Sequence, residues 1–190
     1  MNYYNKNAKK FYENTVNADM TPHYKKFLEN IQPKCHILDA GCGSGRDTLH
    51  FTKLGYTVTA IDSSHEMCKL ATQHTKQDIQ HIKIQDITYN NQFDAIWASA
   101  SLLHIKPDQL DTVLTKLHKS LKKDGILYAS FKHGNYHGIR NGRYFHDITQ
   151  DKAQKIFTKN NYKIIDTWIT TDVRKDRNDE KWVNILARKQ

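Results

Sequence analysis

Three glycines at alternate positions, Gly41, Gly43 and Gly45, stand inside the run Ile37-Leu38-Asp39-Ala40-Gly41-Cys42-Gly43-Ser44-Gly45-Arg46-Asp47, with a second acid further on at Asp62. Glycine at such spacing lets a backbone turn sharply and leaves no side chain between the chain and a ligand. A helix starting just after the turn directs its unpaired N–H groups at the same spot. An acid at the tip of the following strand is placed to accept hydrogen bonds from ribose hydroxyls. The spacing is G-x-G-x-G, not the G-x-G-x-x-G of dinucleotide sites, and Asp39 precedes the first glycine by two residues. A carboxylate there would repel a pyrophosphate and suits a ligand bearing an ammonium and a sulfonium.

The elements that must hold these residues are legible in the apolar pattern. Runs at 36–40, 57–61, 81–85, 93–98 and 125–131 read as strands, with helices between them. Ser63-Ser64-His65-Glu66 reads as a capping box that opens the helix after the second strand. Leu110, Val113, Leu114, Leu117 and Leu121 form one helical stripe, with Pro107 near its start and Gly125 after its end. Strands alternating with helices predict an α/β fold, a largely parallel sheet covered on both faces. After a helix near 150–160, strands at 162–170 and 181–188 are joined by a polar loop and so should pair antiparallel. Two short helices, 3–14 and 21–31, come first, and no repeat or proline-rich linker suggests a boundary. The chain is expected to form one domain over 1–190, an N-terminal helical cap at 1–34 followed by a Rossmann-like core at 35–190.

The glycine motif, Asp39, Asp62 and this order of elements resemble class I S-adenosylmethionine-dependent methyltransferases from about residue 35 to the C-terminus, and the N-terminal helices resemble the cap of small members. The resemblance implies a seven-stranded, mostly parallel sheet with an antiparallel last strand, and S-adenosylmethionine as cofactor. It implies that Asp39, Gly41, Gly43 and Gly45 hold the methionine part, that Asp62 holds the ribose, and that Ser63 and Met67 lie beside the cofactor. Met67 has two readings, packing on the adenine or ordinary core. Asp86 would accept from the adenine amino group while Ile87 packs on the ring. Ala98 and Ser99, at the end of the fourth strand, would supply backbone contacts. Arg46 would be a substrate or cap contact, or a solvated helix arginine. Tyr3, Tyr4 and Tyr12 would close the cap over the cofactor.

The segment Ala98-Ser99-Ala100-Ser101-Leu102-Leu103-His104 bears on the chemistry. It lacks the acid-or-Asn, two prolines and aromatic of enzymes that methylate base amino groups, and the chain has no Pro-Cys nucleophile. Ser99 stands where ribose methyltransferases carry Asp. What remains resembles the small-molecule branch, including quinone, thiol and tellurite-type methyltransferases, and implies methyl transfer to a heteroatom of a small acceptor. His104 is the candidate general base, since its ordinary pKa lies near neutrality; its other reading is a histidine bonded to backbone. His133 is a second candidate. The stretch 133–146 is long, glycine-containing and crowded with cations and aromatics, so it reads as a lid loop carrying substrate contacts from Arg140, Arg143 and Tyr144. The competing reading pairs those arginines with Asp147 or Asp151 on the surface. Thr171-Asp172-Val173-Arg174 and Glu180-Lys181-Trp182 form a further motif with no substrate attached to it.

Composition narrows the partners. With 38% hydrophobic and 11% aromatic residues, the 190-residue chain suits a folded domain, and no apolar run is long enough to span a membrane. Cys35, Cys42 and Cys68 are odd in number and lack C-x-x-C spacing, so a cytoplasmic setting is expected and a metal site is not. The net charge of +9 admits nucleic acid as a partner, but the lysines are scattered and no basic block appears. Methylation of RNA or protein is therefore the alternative activity, and a non-catalytic binding module on the same fold is a third reading. Oligomeric state and the acceptor atom are not written in the sequence.

Overall fold

The computed structural model describes residues 2–174, 177 and 179–190, with the side chain of Asn2 not described. Among these, the elements run α1 (Asn2–Thr15), α2 (Thr21–Leu28), β1 (His36–Ala40), α3 (Arg46–Lys53), β2 (Thr57–Asp62), α4 (His65–Thr75), β3 (Ile79–His81), β4 (Phe93–Ala98), α5 (Pro107–Ser120), β5 (Leu121–Lys132), β6 (His137–Arg140), β7 (Arg143–His146), α6 (Gln150–Lys159), β8 (Tyr162–Thr171) and β9 (Lys181–Lys189).

Seven strands form one sheet in the order β3-β2-β1-β4-β5-β9-β8. Pairings from β3 to β5 are parallel, and β9 runs antiparallel to both of its neighbours. The expected α/β class, the parallel sheet and the antiparallel end are all present. Because side chains alternate along a strand, each strand feeds two cores. Leu38, Ile96, Leu127 and Ile185 face α5 and α6, whose Leu110, Leu114, Leu117 and Phe157 are buried against them. Ile37, Trp97, Tyr128 and Leu186 face α2 and α3, where Phe27 and Phe51 are fully buried. Trp97 stacks on Tyr128 with ring centroids 4.0 Å apart.

Four local expectations change. The third strand occupies Ile79–His81, not 81–85, because the chain curls at once: Ile82 N donates to Gln80 O at 2.9 Å, and Ile84–Asp86 form a 3-10 turn. The helical stripe ends at Ser120, and Leu121 already opens β5. The helix cap is Ser64, whose hydroxyl accepts from Met67 N at 3.2 Å, so Ser63 and Glu66 do not form the box. The supposed lid loop is a β-hairpin: β6 and β7 pair antiparallel around Asn141-Gly142, both with positive φ, as a two-residue primed turn requires.

Candidate functional site

Parallel strands end at one edge of the sheet, and the loops leaving that edge enclose a cavity of about 750 Å³. It is floored by the turns after β1, β2 and β4, extends along the ends of β5 and β8 to the start of β9, and is roofed by α1 and the β6–β7 hairpin. Of the residues singled out in the sequence, Tyr3, Tyr4, Gly41, Gly43, Arg46, Asp62, Ser63, Met67, Ser99, His104, His133, Arg140, Arg143 and Tyr144 line it.

The glycine turn is built as its residue types require. Gly41, Gly43 and Gly45 have φ of 89°, 53° and 77°, a region that penalises side chains. Each serves a different contact. A Cβ on Gly41 would fall 2.6 Å from Ser101 Cβ, where the β1 and β4 turns meet. One on Gly43 would meet only Phe11 of α1, at 3.4 Å. One on Gly45 would fall 2.8 Å from Thr75 Cγ2, so Gly45 is a seat for α4 and lies off the cavity. Asp62 latches the turn: its carboxylate accepts from Gly43 N at 2.9 Å and Ser64 N at 2.8 Å, while burial raises its pKa against those bonds.

Asp39 stands elsewhere than its charge suggested. It is 2% exposed, accepts from the Thr48 hydroxyl at 2.6 Å, and does not line the cavity. Burial, reinforced by Asp47, raises the pKa of its carboxyl and favours its neutral form, and the bond to Thr48 ties α3 to β1. Asp47 keeps its charge: against the cost of burial, Arg46 holds its pKa down through bonds at 2.6 and 3.0 Å, helped by Tyr24 and Trp97. Arg46 is thereby occupied, and its third contact, to Thr15 O at 3.3 Å, anchors the end of α1. Asp86 is exposed and Ile87 buried, both off the cavity, because β3 ends early and Ile84 and Gln85 take the lining positions. Ala98 is buried inside β4, and Tyr12 bonds His74 Nδ1 at 3.1 Å on the α4 side of α1.

His104 is held at both nitrogens. Nδ1 lies 2.7 Å from the Tyr144 carbonyl, which can only accept, so Nδ1 carries the hydrogen. Burial pushes the ring's pKa down to about 4, leaving Nε2 a neutral acceptor for the Tyr4 hydroxyl at 2.7 Å. Burial also raises the pKa of Tyr4, and Arg143 Nη1 donates to its oxygen at 3.4 Å. His133 is exposed, its backbone bonded to Lys181 O at 2.9 Å.

Ser101, Lys132 and His23 also line the cavity and were not marked in the sequence. The motif at 171–174 and 180–182 becomes intelligible here. Against burial, Arg174 holds the Asp172 pKa down with bonds at 2.6 and 2.8 Å, Trp182 Nε1 donates to the same carboxylate at 3.0 Å, and Lys132 pairs with Glu180. Four buried polar atoms without a hydrogen-bond partner, His23 Nδ1, Ser101 Oγ, Arg143 Nε and Asp147 Oδ1, belong to residues lining this one cavity. An unpaired buried polar atom costs about 1–3 kcal/mol, so their grouping fits a site completed by a polar ligand.

S-Adenosylmethionine suits this arrangement. The side-chain-free surface at Gly41 and Gly43 leaves room for its amino-acid part, Asp62 stands at the ribose position, and buried Met67 offers an apolar wall.

Residues 38–129 match the family described as methyltransferase domain. An uncharacterized methyltransferase of Staphylococcus carnosus is 28% identical over 155 residues, 77% of this chain and 75% of that protein. A ubiquinone biosynthesis O-methyltransferase of Actinobacillus pleuropneumoniae is 31% identical over 120 residues, 54% of this chain and 50% of that protein, so the chain spans about half the length of that relative. The crystal structure of the Burkholderia thailandensis 1,6-didemethyltoxoflavin-N1-methyltransferase, with bound 1,6-didemethyltoxoflavin and S-adenosylhomocysteine, superposes with a TM-score of 0.77 at 21% identity, covering 100% of this chain and 84% of that one. Among the described residues, no helix is long and apolar enough to cross a membrane. Residues 38–129 thus carry a methyltransferase domain, and the glycine turn, the sheet order and these similarities support a class I S-adenosylmethionine-dependent methyltransferase.

Proposed function

We propose that the protein transfers the methyl group of S-adenosylmethionine to a heteroatom of a small-molecule acceptor. The observation that carries this is one continuous cavity: the Asp62-latched glycine turn bounds one half of it, and the ends of β5 and β8 with the start of β9, under the hairpin, bound the other. When bound, the cofactor supplies an electrophilic sulfonium methyl that a heteroatom lone pair attacks as the S–C electrons return to sulfur. The chain's own work is then alignment, exclusion of water and care of the acceptor's proton. Residues 1–34 act as the cap, with α1 carrying Tyr3, Tyr4 and Phe11 over the cavity and Asn5 bonded to Ser64 Oγ at 2.6 Å. Tyr4 is the group that meets the acceptor: its hydrogen is committed to His104, and its oxygen, which takes one bond from Arg143, has a second lone pair to accept from the acceptor's N–H or O–H. His104, neutral and engaged at both nitrogens, is a positioning residue for Tyr4, and the displaced proton leaves to water. Free Cys35, Cys42 and Cys68 support a cytoplasmic setting.

The test is to incubate the purified protein with methyl-labelled S-adenosylmethionine and a cell extract, then separate small molecules, RNA and protein. Label in the small-molecule fraction is expected. Label confined to RNA or protein would overturn the acceptor class, and no label in any fraction would favour a binding module.

A further inference from the structure

The β6–β7 hairpin sets two arginines opposite each other, Arg140 paired with Arg143 across the Asn141-Gly142 turn. Like charges directly opposite in a hairpin repel, so their juxtaposition does not itself stabilise the hairpin. Only one of the two is neutralised: Arg140 Nη2 bonds Asp147 Oδ2 at 2.7 Å. Arg143 forms no ion pair with a carboxylate among the described residues, and its Nε is buried without a partner. Nη1 turns toward Tyr4. The guanidinium carbon lies 4.6 Å from the Tyr3 ring centroid and 5.0 Å from that of Phe145. The cation is thus held against aromatic faces, with the Nε edge of its fork unclaimed, in the wall of the cavity.

We infer that Arg143 anchors a carboxylate of the methyl acceptor, and that the acceptor is a small planar monoanion. A planar carboxylate accepts two parallel bonds in the plane of the guanidinium and so stays clear of the flanking rings. A tetrahedral phosphate would drive oxygens out of that plane and into them, and its second charge would find Arg140 already paired. Tyr4, bonded to Arg143, stands beside the anchored molecule. This rests on the methyltransferase reading, and the same fork could instead hold the carboxylate of the cofactor's amino-acid part.

Calorimetry separates these cases. S-Adenosylhomocysteine and 5′-methylthioadenosine, which lacks the amino-acid carboxylate, are titrated into the wild type and Arg143→Gln. Benzoate and neutral benzamide are then titrated into the S-adenosylhomocysteine complexes. The expected result is benzoate binding at least about tenfold tighter than benzamide in the wild type, lost by about tenfold or more in Arg143→Gln, with S-adenosylhomocysteine affinity unchanged within about threefold. Equal benzoate affinity in both proteins, or none in the wild type, overturns the inference. So does a tenfold loss of S-adenosylhomocysteine with 5′-methylthioadenosine unaffected, which would give the fork to the cofactor. If Arg143→Gln loses both nucleosides, Arg143→Lys, which keeps the charge without the fork, is read on the same terms. Failure of S-adenosylhomocysteine to bind the wild type would strike the methyltransferase reading instead.

Discussion

The hydroxyl of Tyr4 lies 2.7 Å from Nε2 of His104, one hydrogen bond joining the first helix to the turn that leaves the fourth strand. The bond uses the lone pair that the Tyr144 carbonyl and burial leave on Nε2, and it holds the helix in place. Replacing Tyr4 with Phe removes the donor and opens Nε2 to water, so the ring should titrate higher than its present value of about 4. An NMR titration checks this: the wild-type ring should stay neutral down to about pH 5, and that of Tyr4→Phe should titrate closer to the ordinary histidine value near 6.5. A wild-type ring already titrating near 6.5 would contradict the arrangement. With an acceptor in hand, the same variant should lose kcat by about tenfold or more.

His104 also contributes to the pH dependence of stability. Its pKa is lowered on folding, so between about 6.5 and about 4 the unfolded chain binds a proton that the folded chain refuses. The contribution is intact above the unfolded value and is lost as pH falls through that window. Urea unfolding at pH 7.5 and pH 5.0 should show the wild type losing about 1–3 kcal/mol more than His104→Gln over the same interval. Parallel losses in the two proteins would mean that the ring is free to protonate in place.

Asp62 accepts from Gly43 N and Ser64 N, so it serves the turn before it serves any ligand. Asp62→Ala should weaken S-adenosylhomocysteine binding by about 1–3 kcal/mol in calorimetry, the range for a hydrogen bond to a charged group. Undiminished affinity would move the ribose contact to another residue.

Two glycines of one motif should fail differently. Gly45→Ala places a methyl 2.8 Å from Thr75 Cγ2 at positive φ and should cost about 1–3 kcal/mol of stability, read from the denaturant midpoint. Gly43→Val points into the space between the turn and Phe11, where the cofactor's amino-acid part would lie. It too is strained by its positive φ and should lower the midpoint, but unlike Gly45→Ala the folded variant should no longer bind S-adenosylhomocysteine. The reverse pattern would exchange the roles of the two positions.

What was legible in the sequence was what neighbours decide. The alternation that sorts Ile37 from Leu38 onto opposite faces, the positive-φ turn at Gly41–Gly45 and the Pro107 start of α5 all follow from local rules and are present. What escaped depends on partners far along the chain. The charge of Asp39 could not be judged without knowing that α3 buries it beside Thr48 and Asp47. The fates of Arg140 and Arg143 look identical in sequence and part only because Asp147 lies within reach of one. His104 had two readings, a general base or a histidine bonded to backbone; the second is present at Nδ1, on the Tyr144 carbonyl, and the bond of Nε2 to Tyr4, 100 residues earlier, was not legible. The hairpin was missed although Asn141-Gly142 advertises a turn, because its four-residue strands carry Gly138 and charges instead of an alternating apolar pattern.

That hairpin forms a two-stranded sheet of its own, with no ladder to the seven-stranded one among the described residues. Its residues reach the cavity from above, while the Asp62 latch and glycine turn are fixed in the main sheet below. The hairpin is therefore tied to the main sheet by side chains and turns, such as the Tyr144 carbonyl on His104, so exposed positions such as Ile139 can change without breaking a ladder of the seven-stranded sheet.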